Sequence, residues 1–313
     1  RAWAGGGLSR RGRAPAAAGA DGGGVKVALL TDEVTADLET ALELARDWKV
    51  DGVELRGIGE QRYPDVSELQ RERIPMLLRE WALPVSAISP GLFKIPAPGA
   101  ERPETRILRW EDAAVFGRRR AAELAVRDHM DRLLPLSIEA ARAIGAPTII
   151  CFSFDRGEGQ RPGRAPDWVI DVLKDAAATV EQAGLTLALE VEHICWGDVG
   201  SRSADIVTRV ANRAFGINWD PANAYRAGED APYPDGYAAV RGLVRHVHYK
   251  QASTLPDGRR GFTPDGVIDW KGQVEALRKD GYAGWITAEP HVSPKVSLGR
   301  KAVESLQALV ART

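Results

Sequence analysis

Residues 185–193 read LTLALEVEH, a short apolar run that ends in acidic and imidazole side chains. Three later stretches repeat this pattern, namely FGINWDPAN at 215–223, VRHVHYKQ at 244–251 and GWITAEPH at 284–291. Each apolar run has the length of a strand that is buried on both faces. A carboxylate or an imidazole at the end of such a strand costs free energy unless a partner compensates it. Four such side chains on four successive strands indicate one shared partner, a divalent cation. The predicted ligands are Glu190, Asp220, His248 and Glu289.

Strand-like and helix-like stretches alternate along the chain from Val25 onward. The predicted strands are Lys26–Val34, Gly52–Ile58, Pro84–Pro90, Pro147–Phe154, Leu185–His193, Phe215–Asn223, Arg245–Ala252 and Gly284–Val292. Eight such units form either a closed barrel or a doubly wound open sheet. A nucleotide-binding open sheet should carry a glycine-rich turn after its first strand, and LLTDEVTADLE contains no glycine. We therefore predict a single (β/α)8 TIM barrel over residues 25–313.

Amphipathic stretches between the strands predict helices, and small residues mark where several of them end. Gly145 and Gly184 follow two of these stretches, at the position where a left-handed residue commonly terminates a helix. Asp167 and Ser203 are the predicted N-cap residues of two others.

Two segments differ from this regular alternation. Residues 1–24 consist mostly of Gly, Ala and Arg without periodicity, and we predict a disordered tail there. Ser9 and the two arginines after it resemble the start of an export signal, but no apolar stretch follows them. We therefore expect a cytoplasmic protein. The segment Phe93–Ala125 is longer than an ordinary connection and predicts a functional loop or lid over the barrel mouth.

Composition excludes several classes of function. The formal net charge is −1, which gives no electrostatic basis for nucleic-acid or membrane binding. No uninterrupted apolar run reaches the length of about 18 residues that a transmembrane helix needs. The two cysteines lack metal-type spacing and predict free thiols. The expected partner is a small-molecule carbohydrate, and association into a homo-oligomer stays open.

Alternation within each strand places the polar residues on shared faces. Glu190 lies on the same face as Glu192, His246 on the same face as His248 and Lys250. Such residues should point into the barrel at its carboxyl-terminal end, where the active sites of this fold lie. Surface carboxylates just past strand ends are common, so any one of these residues alone would not indicate a site. Their recurrence on four successive strands favours a metal site instead.

The phrases that carry these residues resemble a known family. GVELRG (52–57), LALEVEH (187–193), NWDPAN (218–223), HVHYKQ (246–251) and GWITAEPH (284–291) resemble the xylose-isomerase-like barrel superfamily, and more closely its sugar phosphate isomerase/epimerase group. The resemblance extends over residues 25–312. It implies that the four predicted ligands bind one metal ion and that Glu190 and Glu289 also act as an acid/base pair.

Two departures from that family concern the substrate. Ketose epimerases of the group carry a histidine three residues after the metal-binding aspartate, where this chain has Asn223. The family's frequent H-x-K-D ending is represented here by His248-Tyr249-Lys250-Gln251.

The predicted ligands also indicate the metal and the chemistry. Oxygen donors with a single imidazole suit Mn²⁺ or Mg²⁺ first, and Zn²⁺ or Co²⁺ next. A cation bound to a carbonyl and the neighbouring hydroxyl stabilises the enediolate that forms when the α-proton leaves. Two glutamates on opposite sides of the substrate can remove and return that proton.

Further polar residues are candidates for substrate binding. Glu54 ends the second strand and is expected to hold a substrate hydroxyl, with a salt bridge to Arg56 or another neighbour as the alternative. Lys250 is expected to bind an oxyanion or a carboxylate. His193 and Asn223 complete this predicted set.

The leading functional prediction is a metal-dependent isomerase or epimerase of a small sugar or polyol-type carbonyl compound. The alternative is a lyase of the same fold that eliminates water or an aglycone from a keto-inositol, dehydroshikimate or a 3-keto-glycoside. A nuclease of the endonuclease IV type needs more histidines than the five in this chain. A non-catalytic sugar-binding barrel would have no need of all four ligands. No glycine-rich phosphate loop follows strands seven or eight, which favours an unphosphorylated substrate.

Overall fold

A computed structural model describes residues 24–98, 111–157 and 160–312. Eight parallel strands close into a barrel in sequence order, so the predicted TIM barrel is confirmed. The strands are β1 (Lys26–Leu30), β2 (Gly52–Leu55), β3 (Val85–Leu92), β4 (Thr148–Cys151), β5 (Thr186–Glu190), β6 (Phe215–Trp219), β7 (Val244–Tyr249) and β8 (Trp285–Ala288). The predicted disordered tail lies outside the described residues except for Gly24.

Helices surround the barrel. In the described residues they are α1 (Leu38–Asp47), α2 (Glu68–Trp81), α3 (Glu111–Asp128), α4 (Leu134–Ala143), α5 (Asp167–Gln182), α6 (Gly200–Val210), α7 (Pro221–Arg226), α8 (Tyr237–Val240), α9 (Trp270–Lys279) and α10 (Lys295–Arg312). A π-helical segment, His129–Leu133, joins α3 to α4. Of the predicted lid, residues 99–110 lie outside the described part of the chain, and Glu111–Ala125 belongs to α3.

Two short hairpins stand at the carboxyl-terminal rim of the barrel. One pairs Gly57–Ile58 with Gln61–Arg62, directly after β2. The other pairs Ala252–Thr254 with Arg260–Phe262, shortly after β7. The sequence predicts neither hairpin, because Gly57–Ile58 and Ala252 fall at the ends of predicted strands two and seven. Both hairpins contribute side chains to the cavity described below.

Buried apolar side chains form two separate clusters. The larger lies between the strands and the helices and contains the odd-numbered residues of β1 and β5, among them Val27 and Leu187. The smaller consists of Ala87, Ile150, Phe152 and Cys195. Because strand residues alternate between two faces, Ile150 points away from its neighbours in the outer cluster and into the barrel.

The strand ends differ from the prediction. Every predicted strand except the third continues three or four residues too far, because the polar residues at the rim belong to turns, helices and hairpins. The third ends two residues too early. Asp220 shows the cause, since its carboxylate accepts a hydrogen bond from the Asn223 backbone N–H at 2.8 Å and thereby caps α7.

Helix ends follow the sequence in part. Gly145 and Gly184 have φ values of +68° and +74°, as a terminating glycine requires. Asp167 is the first helical residue of α5 rather than its cap, which is Pro166. The predicted cap Ser203 is wrong, because α6 begins at Gly200, whose N–H donates to the Glu229 carboxylate at 3.3 Å. That partner is distant in sequence and replaces a local cap.

No helix in the described ranges is both long enough and apolar enough to cross a membrane.

Candidate metal centre

Four polar side chains converge at the carboxyl-terminal rim of the barrel. One potential ligand atom from each lies within 4.8 Å of the others, and all four residues are buried. Strand register explains the convergence, because Glu190 pairs with Asn218, and Asn218 with His246. Asp220 lies two residues after Asn218, and His248 lies two residues after His246, so both are on the same inward face. The four residues are Glu190, Asp220, His248 and Glu289.

The imidazole of His248 is oriented from below by Glu54. Its Nε2 lies 3.1 Å and 3.2 Å from the two Glu54 carboxylate oxygens, and His246 Nε2 lies 2.9 Å from the same carboxylate. The other ring nitrogen, Nδ1, faces the opposite way, 2.9 Å from Glu289 Oε2 and 3.6 Å from Glu190 Oε1. A carboxylate behind a histidine fixes the ring and raises its basicity, as is usual behind metal-binding histidines.

Lys250 places a cation among the carboxylates. Its Nζ lies 2.7 Å from Asp220 Oδ2 and 2.7 Å from Glu289 Oε2, and its side chain is buried. Burial lowers the pKa of Lys250, but Asp220 and Glu289 outweigh that effect and raise it. The ammonium group therefore stays charged and compensates part of the negative charge.

The pKa of each titratable side chain in the cluster is shifted by its surroundings. Burial raises the pKa of Asp220 to about 6, despite Lys250. Burial also raises the pKa of Glu289, but Lys250, His248 and His291 outweigh it and hold the pKa well below its usual range. For His248, burial lowers the pKa, while Glu54, Glu289 and Glu190 together raise it well above the usual value.

The donor set fits a divalent metal ion. Protein ligands stand at roughly 2.0–2.6 Å from such ions, so donor atoms within 4.8 Å of one another can share one ion. Asp220 Oδ2 is buried and lies 2.7 Å from Lys250 Nζ, so this oxygen is oriented toward positive charge. Three carboxylates and one imidazole are the donors that Mn²⁺ or Mg²⁺ would accept.

A second layer of ion pairs holds the far side of Glu289. Its Oε1 lies 2.5 Å from Arg56 Nη1 and 3.2 Å from His291 Nε2. Arg56 also pairs with Glu33 at 2.5 Å and with Asp32 at 2.9 Å, and His291 Nδ1 lies 2.7 Å from Glu33. The pKa of His291 is raised to about 8, because Glu289 outweighs the lowering effect of burial. Both oxygens of Glu289 are thus bound by positively charged groups.

A cavity of about 220 Å³ opens above the four converging residues, and Glu190 and Glu289 belong to its lining. On one wall Glu192 accepts a hydrogen bond from Lys94 Nζ at 2.5 Å and lies 2.5 Å from His193 Nδ1. On another wall Asn223 donates to Glu190 Oε1 at 3.4 Å. The aromatic side chains in its lining are Phe152 and Phe262.

The residues predicted to bind substrate occupy different places. His193, Asn223 and Lys250 line the cavity. Glu54 is fully buried beneath His248 and is not among the lining residues. The alternative of an ion pair with Arg56 or another neighbour is confirmed for other neighbours, because the Glu54 carboxylate lies 2.9 Å from His246 Nε2 and 3.1 Å from His248 Nε2. Arg56 is not its partner and pairs with Asp32, Glu33 and Glu289.

Sequence reasoning missed several residues around the cavity. Arg56 follows β2 and Glu33 follows β1, so their position just past a strand was the available signal. His291 and Glu192 each lie two residues after a predicted ligand and share its face. Arg62 and Phe262 come from the two rim hairpins, for which the sequence offered no comparable pattern.

Comparison with known proteins identifies a matching family and several similar structures. A family profile described as xylose isomerase-like TIM barrel matches residues 42–311. No curated protein matches the chain in sequence. A solved structure of L-ribulose 3-epimerase is similar, with 19% identity, a TM-score of 0.65 and coverage of 92% of this chain and 95% of that chain.

Two further solved structures share the fold. A xylose isomerase-like TIM barrel protein from Mycobacterium smegmatis in complex with magnesium has 16% identity and a TM-score of 0.62, with 93% of this chain and 97% of that chain covered. A probable 3-DHS dehydratase from Bacillus anthracis has 13% identity and a TM-score of 0.63, with coverage of 90% and 99%. The profile match confirms the resemblance carried by the strand-end phrases, and the chain belongs to the xylose isomerase-like TIM barrel family.

Proposed function

We propose that this protein is a divalent-metal-dependent isomerase or epimerase of a small carbohydrate with a carbonyl group. The observation that carries the proposal is the convergence of Glu190, Asp220, His248 and Glu289 within 4.8 Å of one another beneath a cavity. The similar epimerase and dehydratase structures support an enzyme of this kind, since both share the barrel.

The four converging residues would hold the metal ion, with Mn²⁺ or Mg²⁺ preferred and Zn²⁺ or Co²⁺ next. When bound, the ion polarises a carbonyl and the hydroxyl beside it, which acidifies the hydrogen on the neighbouring carbon. His248 contributes Nδ1, because Glu54 engages Nε2. Lys250 remains beside the site, where its ammonium group stabilises oxygen atoms that gain negative charge.

Glu190 and Glu289 are the proposed acid/base pair, and their surroundings differ. Glu190 Oε1 accepts the amide of Asn223, while no hydrogen bond from the described residues reaches Oε2. Glu289 is bound on both oxygens, by Arg56 and His291 on one and by Lys250 and His248 on the other. Glu190 is therefore the better acceptor for the substrate proton, and Glu289 readily gives up a proton it carries.

This asymmetry supports a lyase as a second candidate function. Elimination of a β-hydroxyl needs one base at the carbon and one acid at the leaving oxygen. Glu190 can serve as the base. The imidazole of His193, which lies on the same cavity wall as Glu192, can serve as the acid. The dehydratase among the similar structures supports this alternative.

The substrate is proposed to be a small molecule, because the cavity is below the range of about 300–1,000 Å³ typical of larger ligands. We propose a cytoplasmic location and no nucleic-acid or membrane partner, in line with the near-neutral net charge. Association of identical chains is compatible with these proposals.

The test is a screen of ketoses, keto-inositols and 3-keto-glycosides with Mn²⁺ in ²H₂O. We expect deuterium to enter the substrate carbon beside the carbonyl. A product of equal mass identifies an isomerase or epimerase, and loss of water or of an aglycone identifies the lyase. Exhaustive EDTA treatment should abolish turnover and lower the melting temperature, because an ion that binds only the folded chain stabilises it. Full activity without any detectable metal contradicts the proposal.

A further inference from the structure

The cavity wall carries more positive charge than its own carboxylates compensate. Five of its lining residues are lysines or arginines, and three of these are paired with carboxylates, as described above for Arg56, Lys94 and Lys250. Arg62 and Arg226 form no ion pair with any carboxylate in the described part of the chain. A metal ion bound with Lys250 would balance the carboxylates of the metal centre, so these two guanidinium groups remain in excess.

Arg62 is held in a fixed orientation by the backbone around it. Its Nε donates to the Ser89 carbonyl oxygen at 2.8 Å, and its Nη2 lies 3.1 Å from Ser89 Oγ. Gly91 leaves the space for this arrangement, since a Cβ there would lie 3.1 Å from Arg62 Nε. The Nη1 amino group has no hydrogen-bond partner among the described residues. An immobilised guanidinium with an unpartnered amino group can donate hydrogen bonds to a planar or tetrahedral oxyanion.

The electrostatic surroundings of Arg62 favour the same kind of ligand. Burial lowers its pKa and the positive charge of Arg56 lowers it further, while the more distant Glu190, Asp32 and Glu289 offset only part of this lowering. A negative charge that binds beside Arg62 relieves both effects, because it compensates a cation that is partly removed from water.

Arg226 reaches the same cavity from another side. It lies one helical turn after Asn223 on α7, so both residues share the helix face above Glu190. Its guanidinium stacks on the ring of Phe262 at 4.5 Å from the centroid. The stacking holds the group in place and leaves its edge free for hydrogen bonds.

We propose that Arg62, assisted by Arg226, binds an anionic group of the substrate, a carboxylate or a phosphate ester, at the end of the molecule away from the metal. The proposal deepens the proposed function and rests on it, because it assigns the substrate class of that same cavity. It narrows the substrate from any small ketose to an acidic one.

The experiment compares three probes that differ only at carbon six: D-fructose, D-fructuronate and D-fructose 6-phosphate. Dissociation constants are measured by calorimetry on the Mn²⁺-loaded protein, so the result is independent of turnover. We expect at least one anionic probe to bind roughly tenfold or more tightly than D-fructose. The anionic probe that binds more tightly shows whether the site prefers a carboxylate or a phosphate ester. Mn²⁺ binding is measured separately, so its absence would count against the proposed function and not against the anion site.

Variants assign the effect to the residue. Arg62→Gln should weaken binding of the preferred anionic probe by roughly 10- to 100-fold and leave that of D-fructose nearly unchanged. Arg73→Gln, at an exposed ion pair with Glu39, is the matched control and should change neither. If Arg62→Gln does not fold, Arg226→Gln and the salt dependence of anion binding provide the same comparison.

Three outcomes overturn the proposal. One is equal affinity for the neutral and the anionic probes. Another is that Arg62→Gln weakens binding of the neutral and the anionic probes by the same factor. The third is no binding of either anionic probe up to about 10 mM while Mn²⁺ binds normally.

Discussion

The two halves of the barrel contribute different side chains to its interior. In β5–β8 the inward positions near the rim are polar and include Glu190, Asn218 and His248. In β3 and β4 the inward positions include Ala87 and Ile150 of the small inner cluster and the buried Ser89, but no carboxylate or imidazole. The later half therefore supplies the candidate ligands, while the earlier half supplies a packed floor.

The earlier half contributes to the centre indirectly. Glu54 at the end of β2 holds the far nitrogen of His248, and Arg56 holds the far oxygen of Glu289. Arg62 comes from the hairpin after β2 and faces the cavity. We infer a division of labour in which the later half binds the metal and moves the proton, while the earlier half orients the ligands and contributes Arg62 to substrate selection.

The largest effect is expected from the acid/base residues of the later half. Glu190→Gln and Glu289→Gln each keep an oxygen donor but lose the basic group, so kcat should fall by at least about 10²-fold. Steady-state kinetics at saturating Mn²⁺ measures this. Glu192→Gln is the matched control, since it breaks the ion pair with Lys94 on the same cavity wall and should lower kcat far less. Unchanged turnover in Glu289→Gln would remove that residue from the pair.

A smaller effect is expected when the earlier half is changed at Glu54. Glu54→Gln keeps the shape of the side chain but loses the charge that orients and polarises His248. Metal affinity should fall by about 10- to 100-fold, as is usual for the carboxylate behind a metal-binding histidine. Calorimetric titration with Mn²⁺ measures the change. If affinity is unaffected while substrate binding is lost, Glu54 contacts substrate, as its sequence position first indicated.

The smallest effect is the pH dependence of metal binding, which belongs to the later half. A metal ion needs deprotonated ligands, and a raised pKa means that the proton is held up to a higher pH. With a pKa of about 6 for Asp220, metal affinity should rise with pH and be about tenfold weaker at pH 5 than at pH 7.

Mn²⁺ titrations at several pH values measure this slope. Binding of a carboxylate probe at Arg62 should show no such dependence between pH 5 and 7, since the guanidinium and the carboxylate both stay charged throughout. A flat profile for Mn²⁺ would mean that Asp220 and His248 do not act as ligands.

Sequence reasoning anticipated which residues would converge where a polar residue ends a buried apolar strand. Such a residue is conspicuous, because burying a carboxylate without a partner is costly, and the alternation of the strand fixes the face it occupies. Glu190 and His248 could be found in this way. Arg62 could not, since a short hairpin after β2 carries no apolar pattern and an arginine there is usually at the surface.

The sequence alone determined the barrel, the order of its strands and the four residues expected to share a cation. These follow from local periodicity and from chain order, which fixes the strand order of the barrel. Only the tertiary structure decided how those residues are held, through contacts such as Glu54 with His248 and Arg56 with Glu289, which join strands at opposite ends of the chain. It also decided which cations remain unpaired, because ion pairing depends on distances in space that residue spacing does not specify.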